Sequence, residues 1–149
     1  MTRGDAPAAR RGPSSLALLE GERFVCRLDP GRPLPAPPRS HRLWSLTLAH
    51  GERSLFAVAA AIPEGGSRNG PWRALRVGGP LPLGLTGGLA AAGVPIFVVA
   101  THDTDHVMVP APVDGAAVAA LRAAEHPVTG AAPGCPGPGA AQSSSKTVL

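Results

Sequence analysis

Residues 95–109 read PIFVVATHDTDHVMV. Two apolar runs, Pro95–Thr101 and His106–Val109, flank a short polar tip, the pattern of two strands joined by a turn. On the N-terminal side, Arg73–Val77 (RALRV) alternates apolar and polar side chains as a strand does, and Leu85–Ala92 (LTGGLAAA) predicts a short helix ended by Gly93. Thr86 or Gly84 would open its first turn, and its two internal glycines mean that packing rather than propensity must hold it. On the C-terminal side, Val113–Glu125 places Val113, Ala117, Ala120, Leu121 and Ala124 at three- and four-residue spacing, an apolar stripe for a sheet to cover. Asp114 suits the positive end of that helix, Pro127 lies just past its end, and His126–Thr129 offers a short last strand. In order, residues 73–128 read strand, helix, strand, strand, helix, strand. This is the ferredoxin-like βαββαβ arrangement of an α+β fold, an antiparallel sheet with helices on one face.

Upstream, Arg23–Leu28, Leu43–Leu48 and Ser54–Ala60 carry strand patterns, and His50-Gly51-Glu52-Arg53 reads as a hairpin connection. Residues 30–38 hold five prolines, which exclude a helix and predict an extended, polyproline-like crossing. Residues 23–60 therefore look like the strand part of a partner half whose edge continues the same sheet. The division expected is a tail over 1–14, a strand-rich half over 15–68, a second half over 69–128 and a Gly/Pro/Ser tail over 129–149. Both tails have almost nothing to bury, so flexibility is expected of them. The final Thr147-Val148-Leu149 has the form of a peptide for a PDZ groove, a match too short to outweigh an inert tail.

A chain of 149 residues with 19 Gly, 18 Pro and 3% aromatic residues supports one modest core or two small halves. It lacks an apolar run of membrane-spanning length, and its aliphatic content excludes full disorder. The formal charge of +4 resides mostly in the tails, because ten Arg between residues 15 and 128 face nine acidic residues. There is no basic stripe interleaved with aromatic side chains, so nucleic acid and membrane are not expected as partners. Cys26 and Cys135 have neither metal-ligand nor disulfide-framework spacing, which favours a reducing, cytoplasmic setting. The pair Arg10-Arg11 is followed by Gly, Ser and Glu rather than a hydrophobic signal region, so export is not expected.

Several of these stretches carry a family resemblance. Trp72-Arg73-Ala74-Leu75-Arg76-Val77, Gly79-Pro80-Leu81, Leu85-Thr86-Gly87, Gly93-Val94-Pro95-Ile96-Phe97 and Thr101-His102-Asp103-Thr104-Asp105 followed by Val107-Met108-Val109 resemble a small ACT-domain group. That group is related to aspartate kinase regulatory domains and to the cytosolic arginine sensors of animals. The first half agrees: Leu43-Trp44-Ser45-Leu46-Thr47, Glu52, Ser54 and Ile62-Pro63-Glu64 sit where the group has a strand, an acidic-Ser hairpin and a proline turn. The similarity covers about residues 15–128 and implies an ACT domain preceded by a degenerate ACT-like half. One departure is the helix after Leu85-Thr86-Gly87, shorter than in the family by about seven residues, or two turns.

The resemblance implies a non-catalytic regulatory or sensor protein that binds a small molecule, an amino acid by the family's habit, as a homodimer or with a partner protein. An amino acid needs backbone N–H groups for its carboxylate, which Gly79–Gly87 would offer, with Gly79, Leu85, Thr86 and Gly87 as contacts. Its ammonium needs acceptors, for which Asp103 and Asp105 in the Thr101–Thr104–Asp105 tip are the charged candidates, and Glu52 and Ser54 would close the site. Plainer roles stand beside these. The glycines suffice to make a tight turn, Asp103 and Asp105 to bond their own backbone amides, Trp72 to cap a core, and Glu52 to be a solvated turn charge.

Two competing readings come from other classes. His102, Asp103, Asp105 and His106 pack four possible metal ligands into five residues, but strand geometry turns the histidines and aspartates to opposite faces. A ligand-free interaction module, pairing through sheet edges, is the other. His41, His50 and His126 are scattered and complete no nucleophile-base pattern, so neither an enzyme nor a cofactor is expected.

Overall fold

The computed structural model describes residues 14–39, 43–82 and 84–130. The expectations for residues 1–13 and 131–149, with Cys135 and Thr147-Val148-Leu149, and for His41 lie outside the described residues, whereas Ser14, assigned to the first tail, is buried and Thr129, assigned to the second, belongs to the last strand. In chain order the elements are β1 Leu16–Leu18, β2 Arg23–Arg27, β3 Ser45–Ala49, β4 Glu52–Val58, β5 Arg68–Val77, α1 Leu85–Ala91, β6 Phe97–Ala100, β7 Asp105–Pro110, α2 Asp114–Ala123 and β8 Val128–Thr129. The fold is α+β, with every predicted strand and helix present in the predicted order. Two compact units divide the described residues: those from 14 to 20 together with those from 73 to 130, and those within Gly21–Trp72. β5 spans the boundary, its first part pairing in one unit and its end in the other.

In the first unit the strands run β8–β1–β5–β7–β6. Leu16, Leu18, Leu75, Val77, Val107 and Val109 are alternate residues of three neighbouring strands, so they share one face of the sheet. Leu85 and Leu89 of α1 and Ala117, Val118 and Leu121 of α2 pack on that face, which makes one core with both helices on one side. Each large aliphatic so buried contributes roughly 1.5–3 kcal/mol. Gly84, at φ +87, opens α1, and Gly93, at φ +74, follows its end. Asp114 is the first residue of α2.

No periodicity marks β1, a strand additional to those expected. Leu16–Leu18 lies between the last strand and β5, antiparallel to β5 through Leu16↔Val77 and parallel to β8 through Leu16↔Val128. Three residues are too few for a period-two pattern to show, and only pairing on both edges, with Leu16 and Leu18 in the core, makes them a strand. β5 also starts five residues earlier than Arg73, at Arg68. Ala59 and Ala60, expected to end a strand, lie instead in one turn of 3-10 helix over Ala59–Ala61.

In the second unit the order is β3–β4–β2–β5. Ala49 pairs with Glu52, leaving His50 and Gly51 as a two-residue hairpin loop at φ 52 and 75, the type I′ geometry that matches strand twist. Cys26, Leu55, Ala57 and Ile62 form its small core, with Phe24, Leu28 and Trp44 packed against them. Residues 33–38 adopt no regular secondary structure, as their prolines require. No helix among the described residues is long and apolar enough to cross a membrane.

Candidate functional site

Two connections of the first unit hold eight of the ten residues singled out in sequence. The first runs from β5 to α1. Gly78 donates its amide to Ser15 O at 2.8 Å, which holds the loop's start to the segment before β1. Gly79, at φ +86, then turns the chain through a conformation that L side chains avoid. Gly88 N–H to Gly84 O, at 2.9 Å, begins the helical bonding. Leu85 is buried in the core at 2% exposure, so its side chain packs and only its backbone faces the loop's role. Thr86 is half-buried, and Gly87 is exposed with open space where a Cβ would stand.

The second connection joins β6 to β7. Thr101 N–H donates to Thr104 O at 2.8 Å, Thr101 Oγ1 donates to the same carbonyl at 2.9 Å, and Thr104 N–H donates to Thr101 Oγ1 at 3.2 Å. The two threonines therefore build the turn, the local side-chain bonding by which hydroxyls replace backbone partners. Neither Asp103 nor Asp105 bonds a backbone amide among the described residues. The turn-making role expected of them falls instead to the Thr-x-x-Thr spacing of Thr101 and Thr104. Asp103 projects into solvent, its Oδ1 2.9 Å from His102 Nδ1, with both side chains close to fully exposed. Asp105 is half-buried opposite Ala100.

Glu52 and Ser54 lie in the second unit on β4, where Ser54 Oγ donates to Glu52 Oε1 at 3.2 Å. No hydrogen bond joins the Gly79–Gly87 set to the Thr101–Asp105 set among the described residues. Trp72, half-buried, donates Nε1–H to Asn69 Oδ1 at 3.0 Å. The four potential metal ligands do not converge. His106 is buried on β7 while His102 is exposed, and the described residues contain no cluster of three or more His, Cys, Asp or Glu suited to a metal.

Comparison with known proteins extends this description. Residues 67–123 match the model of the ACT domain, a span holding both connections just described. No curated protein matches the chain in sequence. Among solved structures, a protein from Agobacterium tumefaciens determined by X-ray crystallography is 26% identical with a TM-score of 0.69, covering 78% of this chain and 92% of that one. A Vibrio cholerae protein of unknown function, described as a possible transport protein, is 17% identical at a TM-score of 0.57, covering 74% and 88%. The ligand-free regulatory subunit of aspartate kinase from Thermus thermophilus is 14% identical at a TM-score of 0.51, covering 76% and 99%. The last two share the fold alone. The family match is confined to residues 67–123, a span that runs from the start of β5 to the end of α2.

Proposed function

We propose that this chain is a non-catalytic regulatory protein that binds a small molecule, an amino acid, through its ACT domain, and that it acts as a homodimer in the cytoplasm. The match over residues 67–123 carries this reading, since that span includes the glycine loop and the Thr101–Asp105 turn. The fold shared with an aspartate kinase regulatory subunit supports a regulatory role. In this reading Asp103 and Asp105 accept the ammonium, because neither carboxylate is committed to holding its own turn. Thr101 and Thr104 hold the turn that presents them, and the backbone of Gly79, Leu85, Thr86 and Gly87 faces the carboxylate.

A ligand that prefers the folded state raises its apparent stability by mass action. The test is a thermal-shift screen of the full chain against the twenty amino acids, with nucleotides and divalent metals as controls. The expected result is a shift confined to one or a few amino acids and lost in the Asp103→Ala, Asp105→Ala double variant. A shift with no amino acid rejects the reading. The second reading, a ligand-free module pairing through sheet edges, is favoured by one observation: β6 ends the sheet of its unit and leaves Val98 39% exposed. Dimerisation without any amino acid response, measured by light scattering and broken by Val98→Lys, would support that alternative.

A further inference from the structure

The second unit contains a cleft of about 500 Å³ that the ACT-domain reading does not use. One wall is the segment from Leu28 to Pro35, the other runs from Pro63 to Ser67, and Cys26, Arg27 and Arg53 close it from the strands. The first wall is fixed at several points. Leu28 N–H donates to Arg53 O at 2.9 Å, Arg53 Nη1 donates to Arg32 O at 3.0 Å, and Asp29 Oδ1 accepts the Gly31 amide at 2.8 Å. Pro30, Pro33 and Pro35 have restricted φ and no N–H, so this wall presents rigid apolar surface with few donors of its own. The opposite wall is held by Arg27 N–H to Ser67 O at 3.0 Å.

Basic residues outnumber acidic ones at the cleft by one. Three basic residues, Arg27, Arg32 and Arg53, and two acidic ones, Asp29 and Glu64, are among those that line it. The Asp29 carboxylate accepts the Gly31 amide and Arg53 donates to the wall, while the Glu64 carboxylate has no hydrogen-bonding partner among the described residues. Among the described residues the side chains of Arg27 and Arg32 have no hydrogen-bonding partner. A guanidinium presents a planar fork of donors suited to a carboxylate or another oxyanion, and a volume of this size falls in the range of small-molecule sites. We propose that the cleft binds a small organic anion with a flat apolar body, the body against the proline wall and the anionic group on Arg27 and Arg32. This site is separate from the amino acid site proposed above and does not depend on it.

The probe is 8-anilinonaphthalene-1-sulfonate, an aromatic anion that fluoresces on entering apolar surroundings, titrated into the full chain. Its uncharged counterpart N-phenyl-1-naphthylamine is the control for charge. The expected result is saturable one-to-one binding of the sulfonate, at least tenfold tighter than the neutral dye, and at least tenfold weaker in the Arg27→Gln, Arg32→Gln double variant. Both residues are exposed, so the variant should melt at the wild-type temperature. Arg76→Gln, an exposed arginine of the first unit, should bind as the wild type does. Equal affinity for the two dyes, or sulfonate affinity unchanged in the double variant, overturns the proposal.

Discussion

Arg73 Nη1 lies 3.2 Å from Asp114 Oδ2, joining β5 to the first residue of α2, while Nη2 of the same guanidinium donates to Leu19 O at 3.1 Å. One side chain thus holds a strand, a helix start and the segment after β1, and the Asp114 side chain is only 8% exposed. Removing either partner leaves a largely buried charge without compensation, which costs more than the pair itself contributes. Arg73→Met and Asp114→Asn should each lower stability by about 2–3 kcal/mol, with the double variant losing less than the total of the two. Urea unfolding of the four proteins measures this, and strict additivity would show that the pair is not coupled.

The buried N-terminal anchor of β1 gives a second expectation. Ser14 N–H donates to His126 Nδ1 at 3.1 Å, and Leu16 N–H to Pro127 O at 2.8 Å. His126→Leu keeps apolar volume but orphans the Ser14 amide, so a loss of about 1–2 kcal/mol is expected. The β1 amides, Leu16 above all, should then exchange with deuterium faster while those of β3 and β4 keep their protection.

Glycines of the two units should respond with opposite sign. A Cβ on Gly66 would stand 2.6 Å from Cys26 Sγ and 2.9 Å from Arg27 O, so Gly66→Ala should destabilise by about 1–3 kcal/mol. Gly88 is in mid-helix with open space around it, and Gly88→Ala should stabilise by about 0.5–1 kcal/mol. Melting temperatures of the two variants check the contrast.

The β3–β4 hairpin loop offers a second such contrast, in one position. His50 holds φ 52 ahead of Gly51 at φ 75, a left-handed conformation that Asn tolerates better than His. His50→Asn should raise stability by a few tenths of a kcal/mol, and His50→Val should lower it by about 1–2 kcal/mol. Denaturant midpoints at constant slope would verify both.

How much of this was legible in the sequence differs by element. Arg23–Arg27, β4, β6, β7 and both helices follow from periodicity and from Gly and Pro punctuation, which are properties of a few neighbouring residues. The loop glycines and the Thr101–Asp105 turn were also visible as candidate contacts, because their residue types restrict backbone or carry charge. The separation of roles inside that turn was not. Asp103 and Thr101 both suit a turn by composition, and only the bonding of Thr101 to Thr104 shows which of them builds it.

Sequence by itself determined the α+β class, the order of elements over residues 73–128 and the resemblance to the ACT domain. Each depends on local pattern, which a chain carries whatever its partners in space. Tertiary structure alone decided three things. Leu16–Leu18 became a strand because β5 and β8 lie on either side of it, Arg73 met Asp114 across 41 positions, and Arg27, Arg32 and Arg53 came to line one cleft. These are contacts between residues far apart in the chain, set by the packing of elements, and no window of neighbouring residues encodes them.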